Sequence, residues 1–199
     1  MLWDHVPKKL LVTGKSGSGK TTFWLAKIQE EKPDYLFVFD PDLEYSAKTG
    51  GDYCCDWPSA SWCLKSRRPV IFDCRELFPG NRPRGFDAFC RWTFSMCQVL
   101  PGRKILACDE VHKFVPRSPA YVPQSFQLIL DEGRRWGLDL MLISRRPNLV
   151  NEAIRAELTE MVCFKHTDRR PLAWLGEDGF NPEEIKNLKS PGGHIDVVL

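Results

Sequence analysis

The segment Gly14-Lys15-Ser16-Gly17-Ser18-Gly19-Lys20-Thr21 has the form G-x-x-x-x-G-K-[ST]. A backbone that wraps a polyphosphate turns its N–H groups inward, where side chains would collide, and glycine at 14, 17 and 19 permits that path. A helix opening near Lys20 aims its unpaired N–H groups and its dipole at the same anion. Ser16, Gly17, Ser18, Gly19, Lys20, Thr21 and Thr22 are the expected contacts to a nucleotide. Lys20 would reach the β- and γ-phosphates, and the Thr21 hydroxyl is placed to ligate Mg2+.

A phosphate cradle needs an acidic partner to do chemistry. Ile105-Leu106-Ala107-Cys108 is an apolar run ending in Asp109-Glu110. A buried strand of that kind delivers its last residues to the edge of a sheet where α/β proteins bind ligands. Asp109 would hold Mg2+ through water, and Glu110 would orient and deprotonate an attacking water. A third group is basic. Arg134 and Arg135 end a predicted helix, and Ser144-Arg145-Arg146-Pro147 ends a predicted strand. A guanidinium from the first pair suits a neighbouring subunit's nucleotide, and a polar group at the end of the strand suits the γ-phosphate.

The elements that must position these residues follow from pattern. Strands are expected at 9–13, 35–39, 69–73, 105–108, 138–144 and 161–164. Helices are expected at 21–31, 86–100, 124–136 and about 150–158. Residues 46–69 read as loops with one short helix, 78–85 as a Pro- and Arg-rich loop, and 176–199 as a tail without a functional reading. Asp40 and Glu44 read as a cap and turn. Strands alternating with helices give an α/β fold, a mostly parallel central sheet with helices on both faces, in one domain over 1–199.

Composition narrows the partners. The chain has 199 residues, 43% hydrophobic and 27% charged, with a formal net charge of +2, which excludes a protein held to nucleic acid by bulk charge. No apolar run approaches the roughly 20 residues of a membrane span. Met1-Leu2-Trp3-Asp4-His5 lacks the basic start of a signal peptide. None of the eight cysteines forms C-x-x-C. They read as reduced, mostly core thiols, the alternative being a metal site at Cys54, Cys55 and Cys63.

The ordered set of motifs resembles the FtsK/HerA superfamily of P-loop ATPases. It comprises the phosphate turn, Phe39-Asp40-Pro41-Asp42-Leu43-Glu44-Tyr45, Val70-Ile71-Phe72-Asp73 and Asp109-Glu110-Val111-His112-Lys113-Phe114-Val115-Pro116. It continues with Glu132-Gly133-Arg134-Arg135-Trp136-Gly137, Ser144-Arg145-Arg146-Pro147 and Phe164-Lys165-His166-Thr167-Asp168. Such a compact core looks most like the genome-packaging ATPases of tailless icosahedral viruses with an internal membrane. The resemblance implies a RecA-like P-loop fold, ATP and Mg2+, and a homomeric ring of five or six subunits. It also implies double-stranded DNA in the central hole, and a capsid or portal vertex as partner, in the virion or the host cytoplasm. It makes Arg134 the preferred arginine finger, with Arg135 second, and puts Arg145 where the family usually has a glutamine sensor. His112, Lys113 and Arg117 are expected on the DNA-facing side. DNA export or cellular HerA-like processing, a small-molecule kinase and a GTP switch are the alternatives; the switch is disfavoured by the lack of N-K-x-D.

Overall fold

The computed structural model describes residues 6–118 and 121–199. Eight strands form one sheet in the order β3-β4-β2-β5-β6-β1-β7-β8. They are β1 (Lys9–Thr13), β2 (Tyr35–Phe39), β3 (Tyr53–Cys54), β4 (Val70–Phe72), β5 (Lys104–Cys108), β6 (Leu138–Ser144), β7 (Glu160–Phe164) and β8 (His194–Val198). All adjacent pairs are parallel except β7 and β8. β1 lies between β6 and β7, with Thr13 level with Ser144 and Cys163. β5 is the next strand beyond β6, with Cys108 level with Leu142.

Side chains alternate across a strand, so each central strand feeds both faces. Leu10, Val12, Leu36, Val38, Ile105, Ala107, Met141 and Ile143 pack under α1 (Lys20–Glu31), chiefly against Trp24 and Ile28. Leu11, Phe37, Phe39, Leu106, Cys108, Leu140 and Leu142 face the other way. That second face is covered by α3 (Trp57–Lys65), α4 (Arg82–Val99), α5 (Gln124–Glu132), α6 (Glu152–Glu157), α7 (Arg169–Glu177) and α8 (Pro182–Asn187). A short α2 (Ser46–Thr49) precedes β3.

Several elements differ from expectation, each for a local reason. α4 begins at Arg82 rather than Phe86. Asn81 caps it by accepting from the Arg84 N–H at 3.1 Å. Pro83 sits in the first turn, where its missing N–H costs nothing. The expected helix 124–136 breaks into α5 and a 3-10 turn, Gly133–Trp136. Residues 46–69 contain β3 and α3 as well as α2, and Ala60, Cys63 and Leu64 sit in the core. The tail folds as α8 and the edge strand β8, whose alternate residues Ile195 and Val197 pack on the core. Cys54 and Cys63 are buried with their sulfurs 3.3 Å apart, whereas Cys55 is placed beside Glu76. The three therefore do not converge, and no metal-holding cluster of His, Cys, Asp or Glu occurs among the described residues. No helix among them is long and apolar enough to cross a membrane.

Opposite the loops that follow the strands, Arg103 bonds to the Glu31 carboxylate (2.5 Å) at the end of α1 and to Asp139 (2.6 Å) at the start of β6. Lys104 donates to the Trp136 carbonyl at 2.8 Å, which fastens the 3-10 turn. The densest packing lies at the centre of the second face. There the Phe39 ring meets Phe86 and Phe114 edge-on, at 5.1 and 5.0 Å between centroids, and Phe89 at 5.8 Å. Phe39→Ala is expected to lower unfolding stability by about 3–5 kcal/mol, the range for a large aromatic removed from a close-packed core. Urea unfolding followed by tryptophan fluorescence measures it.

Candidate functional site

The loop 14–19 leaves β1 and enters α1 at the sheet edge where the strands end. A Cβ on Gly14 would stand 2.5 Å from Phe164 Cβ and 2.6 Å from Ser18 Oγ, so only glycine fits there. Gly19 has φ 108°, a left-handed conformation that caps the helix without a side-chain bond. Ser18 Oγ is buried with no hydrogen-bond partner. An unsatisfied buried hydroxyl beside a hollow of inward-facing backbone fits an anion.

Lys20 is buried, and its Nζ donates to the Lys15 carbonyl at 2.8 Å, so the ammonium lies folded over the loop. Burial lowers its pKa, while Asp109 and Glu110 oppose that shift. The cleft in front of it is lined by Ser16, Gly17, Thr21, Asp42, Glu44, Asp109, Glu110 and Arg145. Gly19 and Thr22 complete the expected set at the start of α1, with Thr22 exposed.

Asp109 and Glu110 follow β5 but diverge. Glu110 takes a left-handed backbone conformation, φ 53°, rare for a residue with a Cβ. Asp109 accepts from the Tyr45 hydroxyl at 2.6 Å. Burial pushes the Asp109 carboxyl above the ordinary aspartate range; the Tyr45 bond pulls it back and the Glu110 charge adds to the rise. Tyr45 is itself buried, edge-on to Trp24, and its hydroxyl also faces Thr21. Its N–H donates to Asp40 at 2.7 Å, and Asp40 also accepts from the Glu44 N–H (3.1 Å) and the Tyr53 hydroxyl (3.0 Å). Asp40 thus builds the turn that presents Tyr45, while the short helix α2 has no side-chain cap and Glu44 lines the cleft. The oxygens of Thr21 and Asp109 gather hard donors suited to Mg2+.

Glu110 is buried and paired with the Arg145 guanidinium, and it also accepts from the Arg145 N–H at 3.3 Å. The oxygen that accepts from that N–H, Oε2, also lies 3.2 Å from His112 Nδ1, which is 2.9 Å from Ser144 Oγ. Burial lowers the His112 pKa, against the pull of Glu110, so the imidazole is neutral near pH 7. His112 therefore turns inward, contrary to its expected outward placement. Lys113 is paired with Asp42 at 3.0 Å, and Arg117 approaches Glu152 at 4.0 Å. The cations that open onto solvent beside the cleft are Lys15, Lys113, Arg145 and Arg146.

Arg134 and Arg135 are not brought to this cleft. They lie exposed in the 3-10 turn before β6, whereas Arg145 follows its other end. The seven residues of β6 separate them by about 20 Å. Arg135 rests over the Trp136 ring at 5.5 Å.

Sequence reasoning passed over Tyr45 and His166 as site residues, though both stand in quoted motifs. His166 is buried below the loop, and its Nε2 lies 3.0 Å from Thr13 Oγ1, which donates to the Ser144 carbonyl at 2.9 Å. This chain joins the ends of β7, β1 and β6 under the cradle. Signals for both residues existed: a tyrosine after an acidic turn, and a histidine just past a buried strand.

No protein-family model and no curated protein matches the sequence. In shape the chain is similar to the genome-packaging NTPase B204 of Sulfolobus turreted icosahedral virus 2 in complex with AMP. The TM-score is 0.74 at 17% identity, over 98% of this chain and 94% of that one. The fold is that of the P-loop NTPases. VirB4 of Thermoanaerobacter pseudethanolicus shares it at TM-score 0.68 and 12% identity, over 96% of this chain and 89% of that one. The cytoplasmic domain of the Type VII secretion ATPase EccC of Thermomonospora curvata gives 0.55 at 15% identity, over 94% of this chain and 24% of that one. These shapes agree with the resemblance carried by the sequence motifs, in which the segment Gly14–Thr21 corresponds to the P-loop.

One consequence of the chain beneath the P-loop is measurable. Burial holds the His166 imidazole down at about 4, with the Lys20 charge adding to the effect and Asp168 opposing it. The unfolded chain takes up this proton below about pH 6.5 and the folded one only near 4. Stability is therefore lost as pH falls through that window. At about 1.4 kcal/mol per pKa unit the loss approaches 3 kcal/mol. His166→Gln, which keeps a donor toward Thr13, is expected to remove that part of the pH dependence. Urea midpoints of both proteins from pH 4 to 7 test it.

Proposed function

We propose that this P-loop NTPase hydrolyses ATP in a homomeric ring and drives double-stranded DNA, as a genome-packaging motor. The observation that carries the reading is the division of the site. The cradle, Asp109 and Glu110 meet in one cleft, while Arg134 and Arg135 stand at the opposite edge of the sheet, where only another subunit's nucleotide is within reach. The similar B204 of Sulfolobus turreted icosahedral virus 2 is a genome-packaging NTPase seen with AMPPCP and ATP-gammaS, and B204 of Sulfolobus turreted icosahedral virus is a DNA-packaging ATPase.

In this reading the P-loop backbone and Lys20 hold the triphosphate. Thr21 and Asp109 would hold Mg2+, which would supply charge neutralisation at the phosphate oxygens. Tyr45 keeps the Asp109 carboxylate in place. Glu110 orients a water and takes its proton as the oxygen attacks the γ-phosphorus, while the bond to the departing diphosphate breaks. A carboxylate bound to Arg145 is a poor base, so hydrolysis requires Arg145 to leave Glu110. The γ-phosphate is the anion that draws it away. Arg134 of a neighbour completes the charge balance, with Arg135 as second choice, and Lys15, Arg145 and Arg146 add to the cationic rim. The DNA backbone would be held by charge rather than by base contacts. Assembly at a capsid or portal vertex and residence in the virion belong to the same proposal. Against the kinase alternative, which needs a lid, stands the segment 46–69: it supplies β3 and α3, with Cys54, Ala60, Cys63 and Leu64 in the core.

Turnover per subunit is expected to rise with protein concentration and with added DNA. Glu110→Gln should bind ATP with little change and lose turnover at least a hundredfold. Arg134→Ala should do the same in isolation, and mixing the two variants should restore part of the rate, since each supplies what the other lacks. A rate per subunit that is high at dilution and indifferent to DNA would sink the ring. Tyr45→Phe is expected to raise the Mg2+ concentration for half-maximal turnover several-fold, with metal-free nucleotide binding unchanged. Steady-state rates against Mg2+, beside nucleotide titrations in a chelator, measure both quantities.

A further inference from the structure

A P-loop grips phosphates and says nothing about the base, so the nucleoside must be received elsewhere. The sheet order settles which side is free. β6 and β5 flank β1 on one side and bring Ser144, Arg145, Asp109 and Glu110 to the cleft, so the terminal phosphates belong there. β7 and β8 flank β1 on the other side, which leaves the space beside the start of α1 there for the remainder of a nucleotide.

On that side the wall is made by the tail. The Gly192 N–H donates to the Ser18 carbonyl at 3.0 Å, and a Cβ on Gly19 would stand 3.2 Å from Gly192 N. The turn thus lies directly against the P-loop and leads into His194, the first residue of β8. The His194 ring sits 5.0 Å from both Phe23 and Phe164, between centroids. Its Nδ1–H donates to the Gly192 carbonyl at 3.0 Å, which sets the plane of the ring. Phe164 belongs to the core, but Phe23 is only partly buried and the His194 side chain is 34% exposed. The planes of Phe23 and His194 stand at 62°, so the half-open His194 ring, with Phe23 at an angle beside it, is the flat face offered next to the start of α1.

We propose that the Phe23–His194 ledge is the nucleoside-binding surface and takes the flat face of the purine base. The proposal rests on the nucleotide-binding reading above. Stacking of a base on an aromatic ring carries a useful share of affinity and tolerates any base with a π-face. The ledge therefore favours a nucleotide over a bare polyphosphate more than it separates one base from another.

Calorimetric titration of the full chain with ATP and with inorganic tripolyphosphate tests this, for wild type, His194→Ala and His194→Phe. His194→Ala is expected to weaken ATP about tenfold and leave tripolyphosphate unchanged, and His194→Phe to keep ATP within about twofold of wild type. Equal weakening of both ligands, or no change for ATP, overturns the proposal; so does a wild type that binds the two equally well. In wild-type protein, magnetisation transfer from the base protons to the His194 ring should be seen by NMR, and its absence in the ATP complex counts against the ledge without any variant. A wild type that binds neither ligand defeats the nucleotide-binding reading itself, a separate failure.

Discussion

The site depends on the parallel register of β5, β6 and β1. Because these strands are neighbours and run the same way, their ends arrive level. The P-loop, the Asp109-Glu110 pair and Ser144-Arg145 meet although well over 80 residues of chain separate the first from the others. Nothing local holds them together. The His166–Thr13–Ser144 hydrogen bonds and the Asp40–Tyr45–Asp109 bonds then fix the level ends from below and from one side. Both sets are buried, where a polar group must be satisfied and its geometry is correspondingly well defined.

The cleft carries more carboxylates than cations, with Asp42, Glu44, Asp109 and Glu110 facing Lys20 and Arg145. Lys20 bends back to its own loop, and Arg145 covers Glu110. Each buried charge has a partner, because an unpaired one would cost several kcal/mol. Lys20 and Arg145 are thereby held by contacts inside the cleft itself, one to a backbone carbonyl and one to a carboxylate.

Much of this was legible in the sequence, and the reasons for the remainder are physical. The turn 14–21, the apolar run before Asp109 and the strand before Ser144 are local signals: glycine positions, uninterrupted β-formers and an abrupt change to polar residues. β8 was missed because an antiparallel edge strand at the end of a parallel sheet is short and half-exposed, with only Ile195 and Val197 carrying its pattern. The start of α4 was missed because Arg82-Pro83-Arg84-Gly85 reads as a breaker, although proline is at home in a first turn. The inward turn of His112 and the Glu110–Arg145 pair join residues from different strand ends, and such pairings have no one-dimensional trace. The distance between Arg134 and Arg145 needed only the length of β6, once β6 was known to run from one toward the other.

Arg103 gives α1 a second role. Twelve residues of helix, about 18 Å, run from Lys20 in the P-loop to Glu31, and Glu31 is bolted through Arg103 to Asp139, just beyond the turn that displays Arg134. A straight helix transmits a push along its axis with little loss. The molecule thus contains a strut, seated at one end in the loop 14–19 and at the other behind the turn that carries Arg134, so that a displacement of the first is passed mechanically to the second.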